Sequence, residues 1–137
     1  MIAPGGQQAE TDTHALIEMR VAASAAHISA VRVVAADLAA RQDFDLDAVS
    51  DLRMAVDEAC ATLVPLAAAG TMLSCRFLVG AGRIEVQASV SVAERTTVPQ
   101  NTFGWRVLTT LTDEAFATSD RHSIGITLCV RRERTEG

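Results

Sequence analysis

The sequence contains no lysine and no tyrosine, and its single asparagine is Asn101. All 12 basic residues are therefore arginines. Without lysine there is no P-loop amine to reach the β- and γ-phosphates of a nucleotide, no strand lysine of a eukaryotic-type protein kinase, and no amine for Schiff-base chemistry. Positive charge is also scarce: 17 acidic residues leave a net charge of −5, which argues against a broad electrostatic grip on nucleic acid and favours protein partners. Cysteine is sparse and unpaired in pattern. Cys60, Cys75 and Cys129 form no CxxC, and an odd number does not describe a disulfide framework. Each lies in an apolar stretch, as a small reduced core side chain would. Long apolar runs are missing too. The longest, residues 59–69, contains Pro65 and is too short to cross a bilayer. The first residues, MIAPGGQQ, lack the basic and apolar regions of a signal peptide, so a cytoplasmic protein is expected. His14, His27 and His122 show no metal-ligand spacing and are expected at the surface.

What remains is a composition that folds. The chain has 137 residues, 49% of them hydrophobic, which suits one domain with one core. Residues 1–12 carry Pro, Gly and Gln without periodicity and are expected to be a flexible leader to a single domain over 13–134. Over residues 14–21, Leu16, Glu18 and Arg20 interleave with Ala15, Ile17, Met19 and Val21, the alternation of a half-buried strand. Ser24 is placed to cap the helix that follows. Its stripe is Ile28, Val31, Val34, Ala35 and Leu38, and it ends near Arg41. Asp47 is read as the cap of a second, stronger helix carrying Val49, Leu52, Val56, Ala59, Leu63 and Leu66, with Pro65 at its end. Two β-type runs, 71–79 and 83–92, flank Gly80-Ala81-Gly82 as a hairpin. A loop over 93–101 leads to a short helix over 103–111, and two further strands are expected near 114–118 and 123–131. The order β-α-α-β-β-α-β-β predicts an α+β, two-layer sandwich with the helices on one face of a mixed or antiparallel sheet.

Three stretches carry a family resemblance. They are Ile17-Glu18-Met19-Arg20-Val21, the run DAVSDLRMAVDEACA over 47–61, and Gly104-Trp105-Arg106-Val107-Leu108 followed by Leu111-Thr112-Asp113-Glu114, together with Gly125-Ile126-Thr127-Leu128. In these the chain resembles the anti-sigma-factor serine kinases of the RsbW and SpoIIAB type, a branch of the Bergerat-fold, histidine-kinase-like ATPases. The likeness covers nearly the whole chain after residue 14 and is greatest to actinobacterial members.

The resemblance implies a nucleotide site, and this sequence departs from it. Glu58 falls at the position of the glutamate that acts as general base toward a partner's serine. One helical turn on, where the family has an Asn that binds Mg²⁺ between the ATP phosphates, stands Thr62. The family's adenine-reading Asp and its Gly-x-Gly are absent, since the matching stretch reads Ala88-Ser89-Val90-Ser91-Val92. Of the second glycine motif Gly104 remains, with Thr102 where another glycine is expected, and the loop that would carry the lid is short. Thr62 and Gly104 are thus the residues left to hold ATP and Mg²⁺. Trp105 could anchor a helix in the core or line the residual pocket, and Asp57 reads as a surface charge. Arg32 matches a family arginine on the surface that meets sigma factor and antagonist.

Two functions follow from the resemblance. In the first the chain is an anti-sigma factor that sequesters an alternative sigma factor, of the stress or sporulation type, and is relieved by a STAS-type anti-anti-sigma factor. In the second it is an ATP- and Mg²⁺-dependent protein serine kinase that phosphorylates that antagonist, with Glu58 as base. The missing motifs favour the first. A homodimer is expected from the family, with neither nucleic acid nor membrane as a direct partner.

Overall fold

The computed structural model describes residues 13–132. The expected leader over 1–12, and residues 133 and 134 at the end of the expected domain, lie outside that range.

Strand β1, Thr13–Ala22, puts Ile17, Met19 and Val21 against the core and turns Glu18 and Arg20 to solvent, as its alternation requires. A single 3-10 turn, Ala25–His27, separates it from helix α1, Ile28–Arg41. Ser24 caps that turn through Ala26 N–H and does not cap α1, whose preceding residue, His27, makes no side-chain cap bond. Helix α2, Leu46–Leu63, follows after the tight turn at Asp43, where φ is 62°. Its cap is Asp45, whose carboxylate accepts from Ala48 N–H at 2.8 Å, and not the expected Asp47. Asp47 lies in the first turn, where a negative charge still meets the positive end of the helix dipole. The buried Phe44 fixes the entry angle, so the capping position falls two residues earlier than the acidic run alone suggested.

Strands β2, Met72–Gly80, and β3, Arg83–Ser91, form the expected hairpin through Ala81 and Gly82, with Gly82 at φ 64°. Helix α3, Phe103–Leu111, is capped by Thr102, whose hydroxyl accepts from Trp105 N–H at 3.0 Å. Strands β4, Glu114–Ser119, and β5, Ser123–Arg131, close the fold. The five strands run in the order β1-β2-β3-β5-β4 and every neighbouring pair is antiparallel, which resolves the mixed-or-antiparallel expectation.

All three helices cover one face of this sheet. Phe77, Val86 and Leu128 form one buried cross-strand row; β3 and β5 lie under α2, which contributes Leu52, Ala55, Val56, Ala59, Cys60 and Leu63, and β2 lies under α1. Each large apolar side chain buried there contributes about 1.5–3 kcal/mol, so α2 is held far more by packing than by its cap. It packs against α1 on one side and α3 on the other. That central position makes α2 the element on which the candidate site is built. Cys60, Cys75 and Cys129 are free and buried, as expected.

Candidate partner surface and candidate nucleotide site

Consecutive residues of α2 point to its two neighbours. Successive positions on a helix are about 100° apart, so Asp57 and Glu58 cannot serve the same side. Asp57 faces α1, where its Oδ1 accepts from Arg32 Nη1 at 2.6 Å. Both side chains are partly exposed, at 38% and 45% for Arg32 and Asp57, and such a pair contributes about 0–1 kcal/mol. The expected surface charge at Asp57 is therefore a paired one. Around it the two helices leave a shallow cleft of about 490 Å³ lined by Arg32, Val33, Arg53, Met54 and Asp57. Val33 is 64% exposed and Met54 52%, so two apolar side chains flank the charges in the open. Of these five, sequence reasoning singled out Arg32 as a partner contact. Val33 and Met54 fall outside the stripes that define each helix's buried face, which was the available signal.

Glu58 faces α3. Its carboxylate sits against Gly104 in the first turn of that helix: a Cβ built on Gly104 would overlap Glu58 Oε2 and lie 3.1 Å from Cδ and 3.7 Å from Cγ. Gly104 has ordinary helical backbone, so its lack of a side chain serves this approach and not a turn. The structure thus brings together two of the three residues expected to serve a nucleotide. Thr62, half-buried one turn after Glu58, immediately precedes the fully buried Leu63 and the end of α2. Trp105 is half-buried and packs against the core.

The residues present do not fit ATP with Mg²⁺. A phosphate normally uses the N-terminal turn of a helix for its exposed N–H groups and positive dipole end. Here a carboxylate already lies against that turn, and a phosphate brought there would face a like charge. Where the family reads adenine with an Asp, Val90 and Val92 are buried in the core at 2% and 7% exposure. The loop after β3 is pinned as well, because Val98 is 3% exposed and belongs to the same core cluster. Among the described residues no group of His, Cys, Asp and Glu is arranged to hold a metal ion.

Elsewhere the surface is strongly charged. A cleft of about 560 Å³ at the start of α2 is lined by Asp43, Asp45, Asp47, Asp51 and Asp113, with Arg131 and Arg132. Its charges are partly engaged: Arg131 N–H donates to Asp113 at 2.7 Å, and Arg132 Nη1 to the Gln42 carbonyl at 2.9 Å. The three histidines are exposed, as expected. No helix among the described residues is long and apolar enough to cross a membrane.

No protein-family model matches the chain. Two curated proteins do, both named anti-sigma-F factor RsbW, from Mycobacterium tuberculosis strains CDC 1551 and H37Rv. Each is 31% identical, over 94% of this chain and 86% of the relative.

Proposed function

Because the chain belongs to the anti-sigma-factor family of the RsbW and SpoIIAB type, as identity spread along nearly its whole length establishes, we propose that it binds and sequesters an alternative sigma factor in the cytoplasm. The sigma factor is of the stress or sporulation kind, and a STAS-type anti-anti-sigma factor releases it by competing for an overlapping face. The observation that carries the role is the end-to-end likeness to proteins named for it. The α1–α2 cleft supplies the surface: Arg32 and Arg53 offer guanidinium groups to partner carboxylates, and the exposed Val33 and Met54 offer apolar area beside them. The net charge of −5 suits a partner whose surface also carries basic patches.

Function here is competition, not chemistry. Sigma held on this surface cannot reach core polymerase, and the protein acts as a homodimer as the family does. The kinase alternative would need Glu58 as a base facing a bound nucleotide. Glu58 lies instead against Gly104, and the Mg²⁺-binding amide is replaced by the Thr62 hydroxyl, which supports sequestration over phosphoryl transfer. The experiment is capture of purified candidate sigma factors by the purified chain, with release on adding the STAS partner. Stable capture without nucleotide is expected. Failure to hold any alternative sigma factor of the host would remove the proposal.

A further inference from the structure

We propose that Glu58 is a built-in counter-anion for helix α3, seated against Gly104, and that it keeps the nucleotide place of this fold closed so that partner binding needs no nucleotide. The inference goes beyond sequestration itself and can fail while sequestration stands.

Three observations converge on it. The first is the contact. The three atoms nearest to the position of a Gly104 Cβ all belong to Glu58, and the nearest is a carboxylate oxygen that any side chain at position 104 would displace. Glycine inside a helix is disfavoured relative to alanine, and here no positive φ calls for it, so what the glycine admits is the carboxylate. The second is electrostatic. A carboxylate against the first turn of a helix is favoured by the dipole, and a second anion in the same place is not. The third is packing. Val92 and Val98, at the two ends of the segment after β3, are both core residues, so that segment is tied down where a nucleotide lid would need to open. One charged side chain thus lies against the start of α3, and two apolar ones anchor the segment after β3 in the core.

The arrangement also gives the family's base a different role. Glu58 touches no partner in this account and transfers no proton. It is a positioning residue for α3, and its partner in that task is the bare Cα of Gly104.

The test uses the full chain and two readouts. Thermal unfolding of the wild type is followed with and without millimolar Mg-ATP; a ligand of the folded state raises the midpoint in proportion to the logarithm of its occupancy. No shift is expected, and a clear rise overturns the proposal without touching sigma capture. The second readout is a double-mutant cycle of Gly104→Ala and Glu58→Ala. Gly104→Ala adds a methyl that must displace the Glu58 carboxylate, so Glu58→Ala is expected to raise the midpoint more in the Gly104→Ala chain than it does in the wild type. If the effects of the two substitutions simply add, Glu58 is not held by Gly104 and the proposal falls. If the Gly104→Ala chain does not fold at all, rescue by Glu58→Ala decides between the same two results. Sigma capture, run in parallel with and without Mg-ATP, reports on sequestration separately: equal capture supports closure, and nucleotide-dependent capture overturns it.

Discussion

Arg32 on α1 and Asp57 on α2 are 25 residues apart and meet at 2.6 Å, and the residue next to Asp57 reaches the opposite neighbour of the same helix. One turn of α2 thus ties together both flanking helices, by an ion pair on one side and a close approach on the other. The ion pair lies in the cleft assigned to the sigma factor, so Arg32 is presented with one side of its guanidinium held and the rest open.

Charge reversal at Arg32 tests that presentation. Arg32→Glu is expected to weaken sigma capture at least about tenfold, equal to about 1.4 kcal/mol, by placing two carboxylates beside each other in the cleft. Asp57→Ala should leave folding stability within about 1 kcal/mol and alter capture less than the reversal does. Binding measured by titration would decide it, and unchanged affinity in Arg32→Glu would take the cleft out of the interface.

Capping of α2 gives a comparison within one turn. Asp45→Ala removes the acceptor for Ala48 N–H and should cost about 1 kcal/mol in urea unfolding. Asp47→Ala loses only a favourable dipole interaction, about 0.3–1 kcal/mol, and should cost less. The reverse ranking would return the cap to Asp47.

The buried thiols should be silent. A hydrogen bond with Cys75, and then burial, push the Cys60 thiol far up from its ordinary value, and Asp57 nearby adds to the effect. Burial also raises Cys129. Since the thiolate is the reactive form, a thiol-specific reagent at neutral pH should modify none of the three in the native chain and all three in denaturant. Rapid native labelling at Cys60 would show the core to be looser than its packing implies.

Acid should expose the turn between β4 and β5. Asp120 accepts from the backbone N–H groups of His122 and Ser123, each at 2.8 Å, and these bonds hold its carboxyl below the ordinary 3.8. A carboxyl whose folded value is depressed stabilises the fold above its unfolded value, and that contribution is lost as pH falls through the folded one. Asp120→Ala should therefore be less stable than wild type at neutral pH, and the difference should shrink once the pH drops below about 3.8. A difference that stays constant to the lowest pH would assign the role of Asp120 to shape alone.

Much of the fold was legible because its signals are periodic. The interleaved Ile17, Met19 and Val21, and the Gly80-Ala81-Gly82 run before Arg83, are signals local in the sequence. The third helix, with Thr102 before it, lies where the sequence put it. What spacing could not supply is which elements stand beside each other. Asp57 looked like a free surface charge because its partner sits on another helix, and the approach of Glu58 to Gly104 was invisible because the two are 46 positions apart. The misplaced caps have a more local cause. Ser24 and Asp47 are good capping residues, but an intervening 3-10 turn and the burial of Phe44 moved the helix starts relative to them. The absence of Asn from α2 was visible at once, whereas the contact between Glu58 and Gly104 needed the fold.

Strand β5 follows β4 in the chain yet lies between β3 and β4 in the sheet, with residues 124–130 all buried. During synthesis the β2–β3 hairpin and the helices can form early, but the sheet cannot be completed until residue 131 has emerged. Until then β3 offers an unsatisfied edge and β4 has no partner to pair with, a state prone to association with other nascent chains. The row of core residues from 124 to 130 is therefore added only when β5 pairs with β3, and a chain cut short before β5 is expected to aggregate rather than to compete for sigma.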